Sequence, residues 1–122
     1  MTRPSQRFND PFVWQKAHEF VKTVYKYSAN FPKKEKFGLT SQFRRASVSI
    51  AANIAEGYIK KGALDKVRFL DIAQGSLEEC RYYLILSFDL GFGSNEQLSK
   101  LSDEVDKLLN SYINGILRKK SS

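Results

Sequence analysis

The sequence predicts an all-α fold, an antiparallel up-down-up-down bundle of four helices. Three observations predict it. Four separate runs carry apolar residues at alternating steps of three and four, none alternates apolar with polar residues as a strand would, and the runs are joined by short connections punctuated by Pro32, Gly62 and Gly91-Phe92-Gly93. Short connections favour antiparallel neighbours, because they leave too little chain to travel back along a helix before the next one starts.

Helix one is expected over about residues 11–30. Asp10 followed by Pro11 is a start signal: a carboxylate that accepts from free backbone amides, then a ring whose fixed φ suits the first turn. Its inward stripe reads Val13, Trp14, Ala17, Phe20, Val21, Val24 and Tyr25, and Pro32 discourages continuation because it offers no amide proton. Helix two is expected over 37–59, with Leu39, Phe43, Ala46, Ile50 and Ile54 facing the core and Gly62 in the turn beyond. Helix three, over 64–90, carries Val67, Leu70, Ala73, Leu77, Cys80, Leu84 and Ser87. Phe69, Ile72 and Leu86 widen that arc, so it is expected to be buried on more than one side. Gly91 and Gly93 suit positive φ at its end. The spacing from Ser94 to Gln97 is that of a capping box opening helix four, over 95–117, whose stripe is Leu98, Leu101, Val105, Leu108, Tyr112, Ile113 and Ile116. Residues 1–9 and 118–122 are expected to be flexible termini of this single domain.

The composition fits such a domain. The 122 residues, 42% hydrophobic and 27% charged, suffice for one core, and no apolar run approaches the ~20 residues that cross a bilayer. The start MTRPSQRFNDPF has neither an apolar segment nor a cleavage site, so the cytoplasm is the expected location and no membrane contact is expected. A single cysteine, Cys80, excludes an internal disulfide and falls in an apolar series, as a small buried hydrophobe does.

A formal charge of +7 and a pI near 9.6 point to a polyanionic partner, RNA or DNA. An up-down bundle puts the N-terminus, the turn between helices two and three, and the C-terminus at one end. Lys60, Lys61, Lys66, Arg68, Arg118, Lys119 and Lys120 gather there with Arg3 and Arg7, against Asp10, Glu56 and Asp65. They are the candidate nucleic-acid-binding residues, suited to phosphate contacts without base specificity. A second basic group, Lys33, Lys34, Lys36, Arg44 and Arg45, falls near the opposite end. Of the many aromatics, Phe8, Tyr58, Tyr82, Tyr83 and Phe92 are the surface or interface candidates.

Helix two carries a second stripe beside its apolar one: Gln42, Arg45, Ser49, Asn53 and Glu56, ending at Gly57. Small hydrogen-bonding groups in a row permit close backbone approach, so these residues, with Gly75, Ser76 and Glu79 of helix three, are expected to form a contact surface. That surface lies either between helices of one chain or between subunits. Arg45 suits a carboxylate across such an interface, with Glu78 and Glu79 as candidate partners.

No catalytic set or cofactor site can be assembled. The lone His18 has no second histidine or cysteine at ligand spacing, so no metal site is expected. Adjacent Glu78 and Glu79 point about 100° apart, unlike the Glu-x-x-His pairs of carboxylate-bridged metal centres. Gly57 and Gly62 lack both the spacing and the preceding strand of a phosphate loop. A binding protein rather than an enzyme is the expectation.

Several separated blocks carry a family resemblance. They are Val13-Trp14-Gln15-Lys16-Ala17, Phe31-Pro32, Glu35, Phe37-Gly38-Leu39, the run LTSQFRRASVSIAANIAEG from Leu39 to Gly57, and Phe69 to Glu79. In this order and spacing the chain resembles, over roughly residues 8–117, the small four-helix-bundle proteins encoded by intervening sequences in bacterial large-subunit ribosomal RNA genes. That family is similar in turn to the accessory proteins of diversity-generating retroelements. The resemblance implies a ring-like homopentamer and no established reaction; with the basic clustering it makes RNA or DNA the expected partner, a protein such as a reverse transcriptase being the alternative. The rival to nucleic-acid binding is thus a protein-interaction or assembly scaffold.

Overall fold

Four helices account for most of the chain. A computed structural model describes residues 12–121, and among these it contains α1 (Phe12–Ser28), α2 (Leu39–Ile59), α3 (Ala63–Asp89), α4 (Glu96–Ser121) and one short 3-10 turn, Lys33–Glu35. The Asp10-Pro11 start signal, the flexible stretch expected over 1–9 and the candidate residues Arg3, Arg7 and Phe8 lie outside the described residues.

Each helix packs on its sequence neighbours and α1 packs on α4, which closes a four-helix bundle with α1 diagonal to α3 and α2 diagonal to α4. Cross-helix pairs read in opposite directions. On α2 and α3, Gln42 meets Tyr83, Ser49 meets Ser76, and Gly57 meets Lys66. On α3 and α4, Gln74 meets Asp106 and Arg81 meets Asp103.

The stripes supply the core. Leu39, Phe43, Ala46, Ile50 and Ile54 of α2 are all buried, as are Leu70, Ala73, Leu77 and Cys80 of α3. At the end holding the α1–α2 and α3–α4 connections the core is aromatic: Tyr27, Phe31, Phe43 and Phe92 lie ring against ring at centroid separations of 5.1 to 6.5 Å. Tyr27 is amphipathic within it, its hydroxyl 2.8 Å from Ser87 Oγ and donating to the Gly93 carbonyl at 3.0 Å.

The stripe predicted for α1 is corrected at its end. Tyr25 is exposed and Tyr27 is buried, because the three-residue step from Val24 leads to Tyr27 while Tyr25 sits about 100° off the seam. In α4 it is Leu109 that is fully buried, four residues after Val105, and Leu108 is only partly covered. The wide arc of α3 is not buried on its second side: Ile72 is exposed and Phe69 and Leu86 are half-buried.

The helix ends are closed by specific groups. The Glu35 carboxylate accepts from the Leu39 amide at 3.1 Å and caps α2 from the preceding turn. At the end of α3 the Phe92 amide bonds to the Ser87 carbonyl at 2.8 Å and the Gly91 amide to the Phe88 carbonyl at 3.0 Å. This is the Schellman arrangement, and it requires the φ of +80° that Gly91 adopts. The cap of α4 is Asn95, whose side-chain oxygen accepts from the Leu98 amide at 3.0 Å, rather than Ser94. Its last turn also continues past residue 117. Arg118, Lys119 and Lys120, predicted to be a tail, are helical, and three cations there complement the carbonyl end of the helix dipole.

Candidate functional site

The polar stripe of α2 meets α3 along one seam. Ser76 Oγ donates to Ser49 Oγ at 2.8 Å, and Asn53 Nδ2 donates to the Ser49 carbonyl at 2.8 Å and to Ser49 Oγ at 3.0 Å. Below them Gly57 is buried so closely that a Cβ would stand 3.2 Å from the Lys66 carbonyl oxygen and 3.4 Å from Leu70. Ser49 and Ser76 therefore tie two helices of one chain together, Asn53 braces Ser49 from within α2, and Gly57 lets the two backbones approach.

Towards the other end the seam opens into a groove of about 440 Å³. Phe37, Gln42, Arg45, Ser49, Glu79 and Tyr83 are among its walls. The Tyr83 hydroxyl lies 3.0 Å from Glu79 Oε2 and 3.2 Å from Gln42 Oε1, donating towards both. Burial, then the neighbouring Glu79 carboxylate, push the Tyr83 phenol above its ordinary value, which keeps it a donor. Arg45 does not take the carboxylate partner predicted for it. It makes no ion pair with any described residue, and Glu78 pairs instead with Arg81 at 3.2 Å along α3. Water competes well with a carboxylate for an exposed guanidinium at a groove rim.

Two members of the predicted interface lie apart from the seam's contacts. Glu56 is exposed and pairs with Lys60 at 3.8 Å along its own helix, and Gly75 is exposed, with no atom within 4 Å of the place a Cβ would take.

The basic end divides into tied and untied cations. Lys66 Nζ donates to the Tyr58 carbonyl at 2.7 Å and the Gly57 carbonyl at 3.3 Å, so it closes the C-terminus of α2. Lys60 and Arg68 both lie 5.1 Å from the Phe69 ring centroid, and Arg68 also pairs with Asp65 at 3.7 Å. Lys61, Arg118, Lys119 and Lys120 are exposed, and among them Lys61, Arg118 and Lys120 make no ion pair with a described residue. The α2–α3 turn and the last turn of α4 share this end, as the antiparallel pairing of α3 with α4 requires.

In the second basic group, Arg44 is structural. Its Nε donates to Ser28 Oγ at 2.8 Å, its Nη2 to the Tyr25 carbonyl at 3.1 Å, and its guanidinium sits 4.6 Å from the Tyr25 ring centroid. Lys33, Lys34 and Lys36 are exposed on the loop that carries Phe37. Among the surface aromatics singled out by sequence, Tyr82 is exposed, Tyr58 and Phe92 are half-buried and Tyr83 is buried. Sequence reasoning names Phe37 in the resemblance block and at the start of the expected helix two but not among the surface aromatics, although it is 88% exposed. A large apolar ring between Lys36 and Gly38, off every helical stripe, is the signal that could have found it.

No group of three potential metal ligands occurs among the described residues, and no helix among them is long and apolar enough to cross a membrane. Burial pushes the Cys80 thiol far up, so it is a packed hydrophobe and a poor nucleophile.

Comparison with known proteins agrees with this architecture. The family model described as 23S rRNA-intervening sequence protein matches residues 9–114. The chain is also similar to a crystal structure from Bacteroides thetaiotaomicron VPI-5482, described as a protein with unknown function from the S23 ribosomal protein family. The two share 30% sequence identity with a TM-score of 0.72, over 84% of this chain and 96% of that one. A search of curated proteins finds no match.

Proposed function

The chain belongs to the 23S rRNA-intervening sequence protein family, and from that premise we propose that it is a non-enzymatic, homo-oligomeric protein that binds RNA or DNA through phosphate contacts at its basic end. One observation carries the reading. Lys61 and the last turn of α4 bring exposed cations to one end of the bundle, while the carboxylates nearest in sequence, Glu56 and Asp65, are engaged by Lys60 and Arg68. Phosphates meeting such a surface release counterions, which yields affinity without base specificity. Assembly into a ring, the pentamer that the family resemblance implies, would repeat that end around an axis. The apolar side chains left exposed on α2 and α3, Val48, Ile72 and Tyr82, support such a contact between copies.

The test is fluorescence anisotropy of labelled single-stranded RNA against nuclease-treated protein at ~50 and ~200 mM salt. Replacing Lys61, Arg118, Lys119 and Lys120 together by Gln should weaken binding of every sequence and flatten the salt slope, by about 0.7 for each phosphate no longer neutralised. Unchanged affinity in the folded quadruple variant overturns the site. The second reading, an assembly scaffold for a partner protein such as a reverse transcriptase, draws on the same exposed apolar side chains. Capture of one such partner that survives nuclease, with no RNA binding, would favour it.

A further inference from the structure

The groove between α2 and α3 has unused hydrogen-bonding capacity of a particular pattern. At its floor Ser49 and Ser76 bond to each other, and Asn53 beneath donates to Ser49. Its walls are not fully engaged. Glu79 accepts from Tyr83 through Oε2 only, Gln42 is engaged through Oε1 only, and Arg45 makes no ion pair with a described residue. Thus a carboxylate edge lines the same groove as a guanidinium and a carboxamide NH2, with opposite charges left more than 4.0 Å apart. Phe37 stands at the rim, 88% exposed, with Lys36 over its ring at 5.4 Å and Lys33 and Lys34 on the same loop.

We infer that this groove binds a guanine base, stacked on Phe37, with its phosphate directed to the lysines of the 33–36 loop. Guanine presents an adjacent N1–H and N2–H pair that a carboxylate accepts along one edge, and O6 and N7 acceptors that suit Arg and amide donors along another. Adenine offers a single amino donor and no neighbouring N–H, and uracil sets carbonyls on both sides of its only N–H, so neither matches Glu79. A volume of about 440 Å³ lies in the range of small-molecule sites. An exposed aromatic ring beside cations is the usual platform for an unstacked base. The guanine arrives either as a free nucleotide or as one unstacked residue of single-stranded RNA, and the second source rests on the nucleic-acid reading above.

Titration calorimetry of the full-length protein with GMP, AMP and IMP separates the edges of the base, since IMP lacks only the N2 amine. GMP should bind, IMP about tenfold more weakly and AMP not measurably, the loss of one hydrogen bond to a charged group being worth about a factor of ten. Anisotropy with guanine-rich and adenine-rich single strands of equal length tests the RNA source. A guanine preference in RNA without GMP binding would assign the groove to RNA, and GMP binding without RNA binding would assign it to the free nucleotide while overturning the basic-end reading. Glu79→Gln and Phe37→Ala should each lower guanine affinity at least about fivefold, with melting temperature unchanged for Phe37→Ala, whose ring packs against little. Equal binding of guanine and adenine in both assays overturns the groove assignment and leaves the phosphate reading standing. A Glu79→Gln effect confined to oligomeric state would overturn it too, because a second copy would then occupy the groove.

Discussion

Ser76 Oγ on α3 donates to Ser49 Oγ on α2 at 2.8 Å, and Ser49 Oγ accepts a second hydrogen bond, from Asn53 Nδ2 at 3.0 Å. One hydroxyl with two donors couples the two helices, and removing either serine leaves the other without its cross-helix partner. Ser49→Ala and Ser76→Ala should each cost about 1 kcal/mol. The double variant should cost less than their sum, with a coupling of about 0.5–1.5 kcal/mol by chemical denaturation. Strict additivity would show that the contact contributes nothing.

Two glycines of neighbouring helices should respond oppositely to alanine. Gly57→Ala sets a methyl 3.2 Å from the Lys66 carbonyl, so the packed backbone of α3 must give by a few tenths of an ångström, at an expected net cost of about 1 kcal/mol. Gly75→Ala adds its methyl in open space within α3 and should stabilise by about 0.5–1 kcal/mol through helix propensity. Denaturation midpoints of the two variants check both signs.

Lys66 and Lys61 separate structure from binding. Lys66→Met removes the ammonium that closes the last carbonyls of α2 and should lower stability by about 0.5–1.5 kcal/mol. Lys61→Met, on the exposed turn, should leave the melting temperature unchanged and reduce RNA affinity. The reverse pattern would reassign the two lysines.

Alkaline pH should weaken the fold partly through Tyr83. Burial and Glu79 raise its pKa in the folded state above the ordinary tyrosine value of 10.0, so the native state holds the proton more tightly than the unfolded chain does. The stability it contributes is complete below the unfolded value and is lost as pH rises from there through the folded one. Tyr83→Phe should therefore flatten the fall of melting temperature above about pH 10. An unchanged slope would remove Tyr83 as the cause.

Cys80 should not react with a thiol-modifying reagent in the native protein and should react fully in denaturant, since it is completely buried and its thiol is pushed far up by burial. Stoichiometric labelling without denaturant would place it at the surface.

Much of the fold was legible because it rests on periodicity. The five apolar positions of α2 are all buried, and the glycines after α3 have the positive φ their residue type invites. The errors fall where local signals compete. Tyr25 and Tyr27 are the same residue type, and only the angular drift of the helix chooses Tyr27. Ser94 and Asn95 both make N-caps, and one residue of register decides for Asn95.

The candidate site was legible as residue types, not as partners. Gln42, Ser49, Asn53, Ser76 and Glu79 were recognisable as a polar surface, but nothing in their spacing says which carboxylate an arginine will reach. Phe37 escapes a periodicity argument because a loop residue carries no period.

By itself, the sequence determined that four amphipathic helices form and which stripe of each turns inward, since burial of apolar area at a 3.6-residue period depends on local order along the chain. The tertiary structure alone decided that Ser49 of the small polar stripe bonds to Ser76 across the α2–α3 seam, that Lys66 is a cap and Lys61 an exposed cation, and that Arg45 and Glu79 border a groove without meeting. Those outcomes depend on the distance between groups on different helices, which is set by how closely Gly57 lets two backbones approach and not by any interval in the sequence.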